Sequence, residues 1–404
     1  MDRVICSYYF SVCVFDMKLK QLPADFVVEE LPDYTISEKK DEHTIFVMQK
    51  QEIDTFDAIR RIAQRLRISL FEIGYAGLKD KHALARQYVS IPTRYNVQGL
   101  KGDCFVLTIA GYSRKKIKIG DLQGNRFIIT ARDIQENELA EITKNVKALA
   151  ASGVPNYFDS QRFGSVLDNV FIGKEVVLKQ YEKAVKQYLT AYQKSESKKI
   201  KDEKRRLLSV WNNLSSVHPH HKAFAGVLNE YMKTKDWRLA YRKIPANLRE
   251  MYVNAYQSYL WNECVKVILK NSVEKKKVFP VEFAVGSLLF YTDLSEQEHQ
   301  KIPQTFQTIS DQMIPSDIER QVIDHVLLKE RLRLEDFRIE EATGNFFKTR
   351  ARQVLLIPQD FAIGEPKRDE LNSKDDVVRF KIQVSFSLPK GSYATVVTKR
   401  LFGH

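Results

Sequence analysis

The sequence predicts an α+β protein: a mixed, mainly antiparallel sheet interrupted by a mostly helical insertion. Three observations predict it. Short β-rich runs bounded by turn residues crowd the start, alternation of apolar and polar residues marks the end, and helical spacing dominates between them. The 404 residues, 44% hydrophobic and 28% charged, have globular composition and length enough for two domains.

Taken in order, KQLPADFVVEEL, DCFVLTIAGY and NRFIITARD read as strands. AGLKDKHALARQYVSI, residues 76–91, reads as strand-turn-strand and places Asp80 at its tip between Lys79 and Lys81. DTFDAIRRIAQRL is a helix with Asp54 as its cap, a buried stripe of Phe56, Ile59, Ala63 and Leu66, and Arg60, Arg61 and Arg65 turned outward.

In the middle, Leu178, Tyr181, Val185, Tyr188, Leu189 and Tyr192 follow helical spacing, as do Ile318, Val322 and Val326 behind a capping box of Ser316 and Glu319. At the end, Val378, Phe380, Ile382, Val384, Phe386 and Leu388 face one way, with polar residues opposite, as in a half-buried antiparallel strand. First and last strands separated by so long a helical stretch imply one sheet domain, 17–154 and 350–404, that is interrupted by a helical domain, 155–349. Residues 1–16 precede the first strand as an extension.

Lys and Arg number 64 against 51 Asp and Glu, for a net charge of +13. That balance favours a polyanionic partner, nucleic acid first and an anionic membrane second. Basic runs at SRKKIK (113–118), KKIKDEKRR (198–206) and EKKK (274–277) suit a surface that tracks phosphates. The longest apolar run, residues 4–15, is too short to span a bilayer and lacks a clear cleavage site, so neither a membrane span nor an export signal is expected.

The four cysteines are scattered without CxxC spacing, which argues against a zinc site or a disulfide framework and for a reducing, cytoplasmic compartment. His218, His220 and His221 form the one histidine cluster, expected as a surface loop rather than a metal site. The chain has no phosphate-binding G-x-x-x-x-G-K-[ST], no G-x-G-x-x-G and no internal repeat.

Four stretches at strand ends or glycine-containing turns carry charges or rings that their turns do not need: KQLPADF (20–26), AGLKDKHALARQ (76–87), LQGNRF (122–127) and LPKGSYAT (388–395). Together they resemble the TruD family of pseudouridine synthases. AGLKDK followed by Arg86 and Gln87 is similar to that family's catalytic motif, and Lys20, Pro23, Asp25 and Phe26 to its opening K-x-x-P-x-D-F. Gly124, Asn125 and Phe127 match its G-N-x-F, while PNYFDSQRFG (155–164) and NAYQSYLWN (254–262) are similar to its helical-domain signatures. Tyr393 departs from the pattern, standing where many members carry phenylalanine.

The resemblance covers nearly the whole chain from residue 17. It implies a pseudouridine synthase-like sheet domain that isomerises a uridine of tRNA, at position 13, without cofactor or metal, as a monomer. Asp80 is the implied catalytic carboxylate and Lys20 its basic partner. Phe26, Phe127 and Tyr393 are implied as rings against the extruded uracil and Asn125 as the reader of its edge, with Lys79, Lys81 and Arg86 also facing substrate.

The chemistry independently asks for these residue types. Breaking the C1′–N1 bond and rejoining C1′ to C5 needs a nucleophile or charge stabiliser at the sugar, and an ionised carboxylate supplies either. Flanking cations such as Lys79 and Lys81 favour that ionised form. Two other readings suit the charge and the aromatics: a base-flipping glycosylase or nuclease using Asp80 or the histidines, and a catalytically silent tRNA-binding protein.

Overall fold

A computed structural model describes residues 17–216, 221–339, 347–374 and 376–403. The extension, 1–16, and two of the clustered histidines, His218 and His220, lie outside them. Two compact units emerge: the chain up to Val154 together with everything from Leu356, and Pro155–Leu355 between.

The first unit is built on an 11-stranded sheet. In chain order its elements are β1 (Lys18–Leu19), β2 (Phe26–Pro32), β3 (His43–Lys50), α1 (Thr55–Leu66), β4 (Gly74–Tyr75), β5 (Leu84–Pro92), β6 (Leu100–Lys101), β7 (Phe105–Ser113), β8 (Leu122–Ile134) and α2 (Leu139–Ser152). Strands Gln359–Ile363, Lys367–Arg368 and Phe380–Pro389 and the helix Ala394–Phe402 complete it. Across the sheet the order is Gln359–Ile363, Phe380–Pro389, β8, β2, β5, β3, β7, β6. The last long strand thus pairs antiparallel with β8, and only β2 and β5 run parallel along this order.

Gly124 is where that last strand presses closest. A Cβ there would stand 2.0 Å from the Leu388 carbonyl oxygen, so the approach needs glycine. Alternation holds through Ile382, Val384, Phe386 and Leu388, all buried, but Val378 is 52% exposed because the strand begins only at Phe380.

One face of β3, β5 and β7 packs on α1 through Phe46, Met48, Val89, Ile91 and Leu107 against Ala58, Ile59, Ile62 and Ala63. Asp54 caps α1 as expected, accepting from the Asp57 N–H at 2.9 Å. Its stripe is rotated from the expected one. Phe56 is exposed beneath Arg60, whose guanidinium lies 5.1 Å from the ring, and Ala58 and Ile62 take the core positions.

The second unit is mostly helical, with helices at Ile172–Val177, Tyr181–Thr190, Lys198–Ser209, Lys222–Thr234, Trp237–Arg242, Ala246–Ser272, Glu296–Lys301 and Asp317–Glu330. It also holds a hairpin, Val278–Phe283 with Gly286–Tyr291, which the helical expectation did not include. The capping box at Ser316 and Glu319 forms, but Ile318 is exposed while Val322, Ile323 and Val326 face the core. Among the described residues no helix is long and apolar enough to cross a membrane.

Candidate active site

The loop between β4 and β5 presents Asp80, and buried polar groups fix that loop from below. Thr55, the first residue of α1, accepts from the Lys79 N–H at 2.9 Å and donates to Gln87 at 2.8 Å, and Gln87 donates to the Gly77 carbonyl at 3.2 Å. The Lys50 ammonium donates to the Asp80 carbonyl at 2.8 Å and to the Ile53 carbonyl at 2.8 Å. Both Gln87 and Lys50 are buried.

Above this base the Asp80 carboxylate is about a third exposed. Oδ2 pairs with the Lys20 ammonium at 2.8 Å, and Oδ1 accepts from the His82 N–H at 3.0 Å. Burial works against ionisation here. The Lys20 and His82 contacts outweigh it and hold the carboxyl below its usual range.

The expected low pKa is therefore present, with a different cause from the one the sequence suggests. Lys79 turns away from Asp80 and forms a buried ion pair with Glu30 at 2.6 Å, while Lys81 is exposed. Adjacent residues in a tight loop point in different directions, and the operative cation comes from 60 residues earlier in the chain.

Lys20 is preorganised. Its backbone adopts φ +60, a conformation uncommon outside glycine, and its ammonium sits 4.0 Å from the centre of the Phe26 ring. Arg132 on β8 braces this turn. Its Nε meets both oxygens of Asp25 at 2.9 Å and its Nη1 meets Asp369 at 2.9 Å, while Asp25 also accepts from the Leu22 N–H at 2.7 Å. Asp25 and Arg132 are buried, so the motif's first aspartate holds the turn that carries Lys20 and Phe26.

The remaining predicted site residues divide by burial. Phe127 sits in the core with its ring centre 6.2 Å from that of Phe26 and 5.7 Å from that of Phe386, and both Phe26 and Phe127 are buried. Tyr393 is half-buried at the head of the Ala394–Phe402 helix. Asn125 lies inside β8 rather than at a strand end, opposite Glu30, with a buried amide oxygen that has no hydrogen-bond partner. Arg86 is exposed and pairs with Glu29 at 3.1 Å.

Sequence inspection missed Lys50, Thr55, Glu30 and Arg132. A signal for two of them was present. Lys50 follows Phe46 and Met48 in the inward phase of β3, and Glu30 follows Phe26 and Val28 in that of β2. A charged residue at an apolar phase of a strand is a local inconsistency that marks special sites.

The signatures of the second unit do different work. Asn262 accepts from the Phe158 N–H at 2.9 Å and donates to the Phe158 carbonyl at 2.8 Å, pairing with that peptide as a strand would. Gln257 donates to the Ile309 carbonyl at 2.7 Å, and Tyr157 to the Leu289 carbonyl at 2.8 Å. The basic run 198–206 is partly committed as well: Lys204 is buried against Glu196, and Arg205 and Arg206 pair with Asp202 and Glu203. Lys198 and Lys199 remain exposed. His221 rests its ring 4.7 Å from that of Phe224.

Comparison with known proteins gives the same answer at every level. The model of the family described as tRNA pseudouridine synthase D (TruD) matches residues 4–401, beginning inside the segment read from sequence as an extension. A Methanococcus maripaludis protein carrying the name "Probable tRNA pseudouridine synthase D 1" is 38% identical over 394 residues, 96% of this chain and 99% of that one. The tRNA pseudouridine synthase D of Aquifex aeolicus is 28% identical, covering 96% of this chain and 98% of its own length. The crystal structure of a Methanosarcina mazei TruD protein superposes with a TM-score of 0.71 at 27% identity, over 96% of this chain and 93% of that one. This chain belongs to the TruD family of tRNA pseudouridine synthases.

Proposed function

We propose that this protein is an isomerase that converts a uridine of tRNA, at position 13, into pseudouridine, with Asp80 acting at the sugar. The observation that carries this reading is the Asp80–Lys20 pair: an ionised carboxylate in a braced loop, one third exposed, held by one cation at 2.8 Å. Family membership and the basic charge of the chain support the RNA substrate.

In the reaction the C1′–N1 bond breaks and a C1′–C5 bond forms. N1 gains a proton and C5 loses one, so product and substrate have the same mass. Asp80 attacks C1′ or stabilises the positive charge that develops there, and Lys20 keeps the carboxylate ionised and aimed. The uridine must leave its stack to reach this loop, and an extruded base is held by ring contact and by its Watson–Crick edge.

Tyr393, the least buried of the three rings, offers the stacking face. Phe26 and Phe127 shape the floor on which Lys20 rests. Asn125 reads the uracil: its unpaired amide oxygen accepts from N3–H, and its NH2 donates to O4. Lys81 and Arg86 meet the RNA backbone.

The test is to incubate the protein with unmodified tRNA and analyse the product. Isomerisation leaves the mass unchanged and creates a carbodiimide-reactive nucleoside at position 13. A shortened RNA would indicate a nuclease, a lost base a glycosylase, and unaltered RNA a silent binder; any of the three overturns the proposal.

A further inference from the structure

A cation that takes no part in the chemistry above holds the Asp80 loop from beneath. Lys50 is the last residue of β3 and is 1% exposed. Among the described residues no carboxylate pairs with its ammonium, which instead meets two backbone carbonyls, those of Ile53 and Asp80, each at 2.8 Å. Burying an ammonium against neutral acceptors is costly. A neutral donor would tie the same carbonyls with far less desolvation, so the charge itself asks for an explanation.

We propose that Lys50 is a positioning residue: its ammonium fixes the backbone of Asp80 and places a positive charge under the loop, so that the carboxylate which Lys20 keeps ionised is also held in place for the reaction. The inference rests on Asp80 being the reacting group. Lys50 reaches Asp80 through the carbonyl of that residue, whereas Lys20 reaches the carboxylate directly, so the two cations constrain different parts of it.

The groups that face Lys50 are Asp80 and Lys79 from the loop and Asp54 from the turn before α1. Burial pulls the ammonium down first and Lys79 adds to it, while Asp80 and Asp54 oppose, leaving the pKa at about 8 against an ordinary 10.5. The folded value lies below the unfolded one. Between them the unfolded chain binds more protons, so this group makes the fold more stable as pH rises. Activity moves the opposite way, because the charge under Asp80 is being lost. A lysine of purely structural use would show the first trend without the second.

The experiment measures single-turnover pseudouridine formation at saturating enzyme from pH 6.5 to 9, for the wild type and for Lys50→Met, together with tRNA affinity and melting temperature. The wild-type rate should fall along a one-proton limb centred near 8. Lys50→Met should melt close to the wild type and bind tRNA within about threefold, but turn over about 100-fold more slowly at pH 7, as expected for a mis-aimed catalytic group. Its profile should lack that limb. A limb shared by both proteins belongs to the RNA or to other groups and counts against Lys50, as does a folded Lys50→Met with wild-type turnover.

If Lys50→Met does not fold, Lys50→Arg decides: a cation that does not titrate in this range should keep turnover at pH 7 and lose the limb near 8, whereas the same limb in Lys50→Arg, or a wild-type rate flat to pH 9, overturns the proposal. The underlying reading fails separately. A folded Asp80→Asn that retains turnover removes Asp80 as the reacting group, whereas an inactive Asp80→Asn beside a normal Lys50→Met removes only this inference.

Discussion

Asp80 in the sheet unit and Glu298 in the helical unit are both carboxylates held below their usual pKa, and they are put to different use. Glu298, at the head of the Glu296–Lys301 helix, accepts from the Glu274 N–H at 2.9 Å, the Lys277 ammonium at 2.7 Å and the Ser295 N–H at 2.8 Å, and is buried. Every one of those contacts is internal to the fold. Asp80 has one cation, one N–H and a third of its side chain open to solvent. A depressed pKa therefore does not make a site by itself. What distinguishes the sheet unit is an ionised carboxylate with accessible surface, mounted on a loop whose backbone is pinned by Thr55, Gln87 and Lys50.

The same contrast extends to whole motifs. In the sequence AGLKDK and NAYQSYLWN look equally distinctive. In the structure, the first opens Asp80 and Lys81 to solvent while burying Lys79 against Glu30, and the second turns Asn262 and Gln257 inward to close backbone groups that would otherwise be buried and unpaired. Substitutions in the two regions should separate accordingly, into loss of rate without loss of fold and loss of fold without loss of rate.

The largest effect after Asp80 itself is expected at its cation. Lys20→Met keeps the stem over Phe26 and removes the charge, and turnover should fall by about two to three orders of magnitude with little change in melting temperature. The pH dependence sharpens this. Because the Asp80 pKa is depressed, the wild type should keep its carboxylate ionised down through the ordinary carboxylate range. In Lys20→Met, burial acts with less opposition, so the acid limb of the rate should move to higher pH. A rate profile unchanged by the substitution would erase the distinction between the two regions.

A smaller effect, of the opposite kind, belongs to Glu298→Gln. Removing a buried, fully bonded charge should cost about 2 to 3 kcal/mol of stability in denaturant titrations. Single-turnover rates measured below the melting transition should hold. The sign of the pH effect follows from the Glu298 pKa of about 2 against 4.5. Its contribution is complete above the unfolded value and is lost as pH falls through the folded one, so wild type and variant should converge in stability in acid. Equal acid sensitivity in both proteins would contradict the structural role.

The smallest effect concerns RNA binding. Of the run 198–206, Lys198 and Lys199 are exposed, whereas Lys204 is part of the fold. Replacing Lys198 and Lys199 by glutamine should weaken tRNA binding without changing turnover at saturation, and should flatten the dependence of log affinity on log salt by about one to two units. An unchanged slope would make this run an ordinary solvated helix face.

Much of this was legible in the sequence because it is written locally. The alternation through Ile382, Val384, Phe386 and Leu388, the Asp54 cap and the capping box at Ser316 all depend on near neighbours, and all are present. Asp80 stood out for the same reason. What could not be read are contacts closed over long separations. Lys20 reaches Asp80 across 60 residues, Lys50 across 30, and Arg132 reaches Asp369 across 237. Sequence adjacency suggested Lys79 as the partner of Asp80, but a loop's side-chain directions are set by what lies beneath it, and beneath Lys79 lies Glu30. The expected stripe on α1 failed at Phe56 because an aromatic at the first turn can lie under Arg60 on the surface instead of entering the core.

The most direct test is single-turnover pseudouridine formation by Asp80→Asn at saturating enzyme, measured beside its melting temperature and its tRNA affinity. The substitution preserves the shape of the side chain and removes the negative charge. Turnover should fall by about three orders of magnitude or more, with the fold retained and affinity equal or slightly tighter because a negative charge has left a basic surface. A folded Asp80→Asn protein that forms pseudouridine at the wild-type rate would contradict the assignment of Asp80 as the reacting group.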